Sequence, residues 1–198
     1  MDDTDIIRDS VQKRVNIAIE RIQFFLDKKQ QYVISVEPDS CGTERIWFIR
    51  LSRQYSSIIL CSAVDANRIG AEQIARGLAM ILLVMGLSVQ LSVSEEFEFT
   101  PEENKLMKRM EGLFLATDIN LACESNREER LHSVVCEGSG GKIVLIETGG
   151  ISEHGMSIIC KQTAMILAGL GKHFSTPDGT IGNRYGIVEF CPINNDDV

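Results

Sequence analysis

Proline is scarce in this chain, four in 198 residues, while 44% of the residues are apolar. Such a composition buries a sizeable core rather than staying disordered. No apolar run approaches the about 20 residues that cross a bilayer. The most apolar one, Leu78–Val89, reads as a buried helix end followed by a strand. The acidic opening Met1–Asp5 lacks the charged start and apolar stretch of a secretory leader. Basic residues are outnumbered, 20 against 28 acidic, for a net charge of −8. They are also interleaved with acids, as Lys105, Lys108 and Arg109 are beside Glu102, Glu103 and Glu111. Phosphate binding needs clustered Lys and Arg, so neither a nucleic acid nor a membrane is expected as partner.

Catalytic and metal-binding patterns are equally sparse. The six cysteines (Cys41, Cys61, Cys123, Cys136, Cys160, Cys191) contain no CxxC pair or close metal spacing. Four of them stand in apolar surroundings, where a free thiol behaves as a small hydrophobe, and a reducing cytoplasm is the expected setting. The three histidines form no HxH or HExxH pattern. His132 and Cys136 share a strand face but stand about 13 Å apart at strand rise, too far for one metal ion. His154 and Cys160 have no acidic third partner at a recognisable offset. Gly138-Ser139-Gly140-Gly141-Lys142 imitates a phosphate loop, but Lys142 precedes Ile143 and a strand, where a Walker loop needs Ser or Thr and a helix. Glycines relieving a tight turn account for it. No catalytic residue, cofactor or metal is expected.

What the chain does contain is a repeat. Residues 44–86 fall without a gap on residues 129–171 when moved by 85 positions, and eleven of 43 columns are identical. They are Glu44/Glu129, Arg45/Arg130, Ile58/Ile143, Leu60/Leu145, Gly70/Gly155, Ile74/Ile159, Ala79-Met80-Ile81-Leu82 over Ala164-Met165-Ile166-Leu167, and Gly86/Gly171. Self-similarity at a fixed offset marks a duplicated structural unit. An α/β fold follows as the expectation, an internal tandem duplication packed as a pseudo-two-fold dimer with mixed or antiparallel sheet. Its copies are residues 1–99 and 100–198.

Within each copy the periodicities define the elements. Ile7, Val11, Val15, Ala18, Ile22 and Phe25 step by four and three, which predicts an amphipathic helix over 5–28. Strands are expected at Tyr32–Glu37, Ile46–Leu51, Ser57–Val64 and Ser88–Val93, with Ser57–Val64 apolar enough to be central. Asn67 and Ser152, in one column, are cap formers for helices over 68–85 and 153–170. Gly86 and Gly171 terminate them. The first of these helices is apolar nearly all round, so it is expected to be enclosed on several sides or to lie at a subunit contact. Thr100-Pro101-Glu102-Glu103 is a capping box that opens a helix with Leu106, Met110, Leu113 and Phe114 as its buried stripe. Phe174–Asn183 reads as a turn-rich insertion without a counterpart in the first copy, Arg184–Phe190 as a closing strand and Asn194–Val198 as a tail. The resulting order is similar to that of roadblock- and profilin-type α/β units and of the acidic chaperones of secretion systems. The likeness is one of element order and carries no residue's role with it.

Two functional expectations follow. The first is a non-enzymatic, cytoplasmic protein-interaction module, a scaffold, adaptor or chaperone, that binds a protein partner or itself as a homodimer. The second is a small-molecule-binding protein or enzyme with an anion or metabolite site between the copies at Gly149–Gly155, where a strand end meets a helix start whose free N–H groups favour an anion. Its residues would be Gly149, Gly150, Ser152 and His154, joined by Arg68 from the sister loop if the copies bring these loops together.

Overall fold

The computed structural model describes residues 3–40, 45–92, 98–115, 119–172, 174–176 and 179–181. The chain first forms α1 (Asp3–Phe25), β1 (Gln31–Pro38), β2 (Ile46–Arg53), β3 (Ser56–Val64), α2 (Arg68–Val84) and β4 (Ser88–Leu91). It then forms α3 (Pro101–Phe114), β5 (Ile119–Asn126), β6 (Leu131–Gly138), β7 (Gly141–Thr148), α4 (Glu153–Gly169), β8 (Phe174–Thr176) and β9 (Gly179–Ile181). One sheet runs β3-β2-β1-β4 and the other β7-β6-β5-β8-β9. In each, three strands form an antiparallel meander, and the strand after the second helix returns parallel to the first of them. The fold is mixed α/β.

Local chemistry explains most boundaries. Asn67 and Ser152 sit in extended backbone, and their side chains accept from Gly70 N and Gly155 N at 2.8 and 3.0 Å, starting α2 and α4. At the far ends Gly86 and Gly171 have φ of +86° and +81°. Leu87 N then donates to Leu82 O, and Lys172 N to Leu167 O, in matched columns. The capping box of α3 is complete, with Glu103 N donating to Thr100 Oγ1 and Thr100 N to the Glu103 carboxylate. The Gly138–Lys142 segment is a hairpin turn closed by Gly138 opposite Gly141.

Three expectations are corrected by tertiary contacts. The first helix stops at Phe25 rather than residue 28. Buried Tyr32 accepts from Asp27 N at 2.6 Å and donates to Phe25 O at 2.9 Å, and Arg53 also donates to Phe25 O, so side chains take over where the helical ladder would have continued. β3 is an edge strand, not a central one. Its apolar residues Leu60, Cys61 and Ala63 are buried by α4 of the other half, and Gln162 Oε1 accepts from Ser62 N at 3.0 Å. An edge covered by a helix is as dry as a central strand. Finally, the segment from Phe174 opens with β8, which pairs parallel with β5 as β4 pairs with β1. It is therefore the counterpart of β4 with a short hairpin added, not an insertion throughout. Arg184–Phe190, Asn194–Val198, His173, Cys41 and Cys191 lie outside the described residues.

The halves share one core. α2 packs on its own sheet and also on β7 and α3, and α4 packs on its own sheet and also on β3 and α1. Ile74, Ile81, Leu82, Ile159, Ile166 and Leu167 are fully buried in a single apolar cluster drawn from both halves. The all-round apolar helix is thus enclosed within the chain itself.

Arg76 of α2 and Glu103 of α3 form a two-bonded ion pair, with the Arg76 guanidinium 5.4 Å from the Phe99 ring centre. The hydrogen bonds from Arg76, and then those at Thr100, hold the Glu103 carboxyl below its ordinary range. A depressed carboxyl pKa contributes stability above the unfolded value, which is lost as pH falls through the folded one. Glu103→Gln is expected to cost no more than about 1 kcal/mol at neutral pH. The gap between variant and parent should close between about pH 5 and 3. Urea denaturation across that range checks it, and a gap that widens toward acid refutes the pairing.

Candidate functional site

The loops that start α2 and α4 cross each other. Ala66 and Ile151, one column of the repeat, form an antiparallel bridge. Asn67 N donates to Gly150 O at 2.8 Å and Ser152 N to Asp65 O at 3.2 Å. Replacing each residue by its counterpart 85 positions away turns one of these bonds into the other. The backbones approach so closely that a Cβ at Gly70 would strike the Gly150 carbonyl, and one at Gly155 the Val64 carbonyl. An open depression of about 560 Å³ surrounds the crossing, lined by Arg45, Asp65, Ala66, Asn67, Gly149, Gly150, Ile151 and Ser152.

Three residues named from the sequence, Gly149, Gly150 and Ser152, therefore come together, with Asn67 and Asp65 from the sister loop. The other two do not line the depression. Arg68 is exposed and pairs with Glu72 at 2.8 Å, and His154 is exposed on the first turn of α4. Several of the N–H groups at the two helix starts are engaged internally. Gly70 N and Gly155 N go to the caps, Gly150 N to Thr148 Oγ1, and Ala71 N and Met156 N to the carbonyls of Asn67 and Ser152. Asp65 adds negative charge to the rim. What this arrangement does most directly is join the two halves.

Two deeper grooves lie where a helix of one half covers the sheet edge of the other. One, about 520 Å³, runs between α2, α3 and the β7 edge at Lys142–Glu147. The other, also about 520 Å³, runs between α1, α4 and the β3 edge at Ser57–Ser62. Their walls occupy matched columns: Gly77 and Gln162, Met80 and Met165, and the two strand edges. Their chemistry differs. The α2–β7 groove contains both signs, with Glu103 and Glu147 among Arg76, Arg109 and Lys142. The α4–β3 groove contains Arg21 and Arg50, and among the described residues no carboxylate lines it. Sequence reasoning missed both grooves because each is built from distant segments, about 70 residues apart for α2 and β7 and about 100 for β3 and α4. The aligned pair Met80/Met165 was the available signal, and it was absorbed into the core stripe.

Cys61, Cys123 and Cys136 are poorly suited to nucleophilic work. Burial pushes Cys61 far up and Cys136 up to about 12, and burial with the nearby carboxylates of Glu153 and Glu124 raises Cys123. The nucleophile is the thiolate, which such groups do not supply near neutral pH. Cys160 is buried while His154 is exposed, about 120° away round α4. His132 is half-buried, with Nδ1 2.9 Å from Ser125 Oγ. Among the described residues no three His, Cys, Asp or Glu side chains converge as a metal site.

Comparison with known proteins adds no relative: no protein-family model matches the chain, and no curated protein matches it.

Proposed function

We propose that this chain is a non-enzymatic protein-interaction module, made of two fused copies of one α/β unit related by an approximate two-fold through the Ala66–Ile151 crossing. The copies are residues 1–99 and 100–198. The observation that carries the reading is the pair of equal-sized grooves at matched columns, each between a helix and a strand edge of the opposite half. Clefts bordered by a strand edge take extended segments by main-chain pairing and side-chain pockets. The partner is another protein, a second copy of the chain included; α2, whose apolar surface first suggested a homodimer, is enclosed by β7, α3 and its own sheet, so the contact surface lies elsewhere. The four described cysteines are free thiols, which fits a reducing cytoplasm. No helix among the described residues is long and apolar enough to cross a membrane.

A second reading, a metabolite or anion site at the loop crossing, is supported by the depression that Gly149, Gly150 and Ser152 help to line. Two measurements separate the readings. Panning a displayed peptide library against the intact chain is expected to enrich binders. Melting across a nucleotide and metabolite panel is expected to show no stabilisation. A small molecule that adds about 2.7 kcal/mol at 100 times its Kd, with no peptide enriched, would establish the second reading instead.

A further inference from the structure

The helix α1 buries Ile19, Ile22 and Phe25 and packs on α4. At 100° per residue its Lys13, Ile17, Arg21 and Phe24 fall within an arc of about 80° on the other side. All four are exposed, Phe24 by 87% and Ile17 by 39%, with exposed Arg14 at one flank and Glu20 at the other. Ile17 and Phe24 stand two turns, about 10.5 Å, apart on this face with Arg21 between them, and large apolar side chains exposed on one face mark a contact surface more often than scattered single ones do. Arg21 makes no ion pair among the described side chains.

This face runs directly into the α4–β3 groove, because Arg21 lines both. On the far wall stand Arg50, which is bonded to Glu37 and Ser57, and Ile59, 46% exposed on the edge strand. Arg21 and Arg50 line the cleft and Lys13 and Arg14 stand further along α1, against Glu20 at the flank of the face and Glu37 on Arg50, in a chain whose net charge is −8. Among these six residues the net sign is opposite to that of the whole molecule. A partner with carboxylates is drawn here and repelled elsewhere, and electrostatic complementarity of this kind sets orientation and selectivity more than raw affinity. The cleft floor is the rim of β3, a strand edge with Ser62 N already taken by Gln162. A chain lying along that edge is extended.

We infer that the α1–β3–α4 groove docks an extended, acidic segment of a partner protein, its large apolar side chains seated against Ile17, Phe24 and Ile59 and its carboxylates on Arg21, Arg50, Lys13 and Arg14. This rests on the interaction-module reading and names the partner's chemistry. The α2–β7 groove, with its mixed charges, lacks this selectivity.

The test is fluorescence anisotropy of the full chain with a short labelled peptide alternating glutamate with leucine or phenylalanine, and with the same peptide carrying lysine for glutamate. The parent is expected to bind the acidic probe and not the lysine version, with affinity falling as salt is raised. Arg21→Glu and Phe24→Ser should each weaken binding at least about tenfold, as loss of an interface anchor does. Lys108→Glu, an equal charge reversal on α3, should leave it unchanged. Arg21 and Phe24 are exposed, so both variants should melt like the parent, and Arg21→Glu alone suffices if Phe24→Ser does not fold. Equal binding of both peptides, equal loss in Lys108→Glu, or unchanged affinity in Arg21→Glu overturns the assignment. So does Arg21-dependent binding to phosphatidylserine vesicles with none to the acidic peptide. If panning yields binders indifferent to Arg21→Glu and Phe24→Ser, this groove is wrong while the interaction reading stands. If only a metabolite binds, the reading itself has failed.

Discussion

Ile81→Ala and its counterpart Ile166→Ala are each expected to destabilise the protein by about 2–5 kcal/mol, the cost of a cavity in a fully buried aliphatic site. Both side chains are 0% exposed and occupy one column of the repeat, in the last turns of α2 and α4. The shared core makes a further demand. Because α2 is held by β7 and α3, and α4 by β3 and α1, neither half keeps its core when the other opens. Urea unfolding of either variant should therefore remain a single transition at a lower midpoint. A loss below about 1 kcal/mol would show that these residues are not the packing centre. Two separate transitions, with only one moved by each substitution, would show that the halves are independent.

Gly155→Ala and Gly70→Ala should be almost as damaging, about 3 kcal/mol each, at the upper end of overpacking. The usual effect of this change inside a helix has the opposite sign, since alanine is favoured over glycine by up to about 1 kcal/mol. Here the added methyl points at backbone that cannot yield, the carbonyls of Val64 and Gly150, which are fixed by the Ala66–Ile151 bridge and its flanking hydrogen bonds. Gly112→Ala on α3 is the control, because a Cβ there meets nothing within 4 Å and should stabilise slightly. If all three substitutions shift the melting temperature upward, the crossing is not tight and the two loops are not held together.

The candidate site was only partly legible before the fold was known. The importance of Gly149, Gly150 and Ser152 was readable, because a strand end, glycines and a cap former stand next to each other in the chain. Their use was not. Whether a helix-start N–H faces a ligand or a neighbouring loop depends on what lies opposite, and Asp65 and Gly150 lie 85 residues apart. Arg68 and His154 are on the same turns as the caps, yet they point to Glu72 and to solvent, a difference of rotation about the helix that the loop sequence does not encode. Arg21 read as one polar residue of an amphipathic helix. Its role as a bare cation between exposed Ile17 and Phe24 at a groove mouth needed the position of β3.

By itself the sequence determined whatever is decided within a turn or two of the chain. The caps at Asn67, Thr100 and Ser152, the left-handed ends at Gly86 and Gly171, and the apolar faces of α2 and α4 depend on neighbours within about four residues. The 85-residue offset also carried, with no structure at hand, the equivalence of residues that turned out to be buried alike. Only the tertiary structure decided that β3 is an edge, that α1 ends at Phe25, that β8 is the partner of β5, and that α2 finds its cover inside the chain. The end of α1 rests on Tyr32 and Arg53, beyond the reach of the helix's own ladder, and the cover of β3 and α2 on contacts such as Ser62 to Gln162 and Gln73 to Thr148, across 100 and 75 residues. An apolar residue records that it must be covered, but the hydrophobic effect is non-directional, so its identity does not say by what.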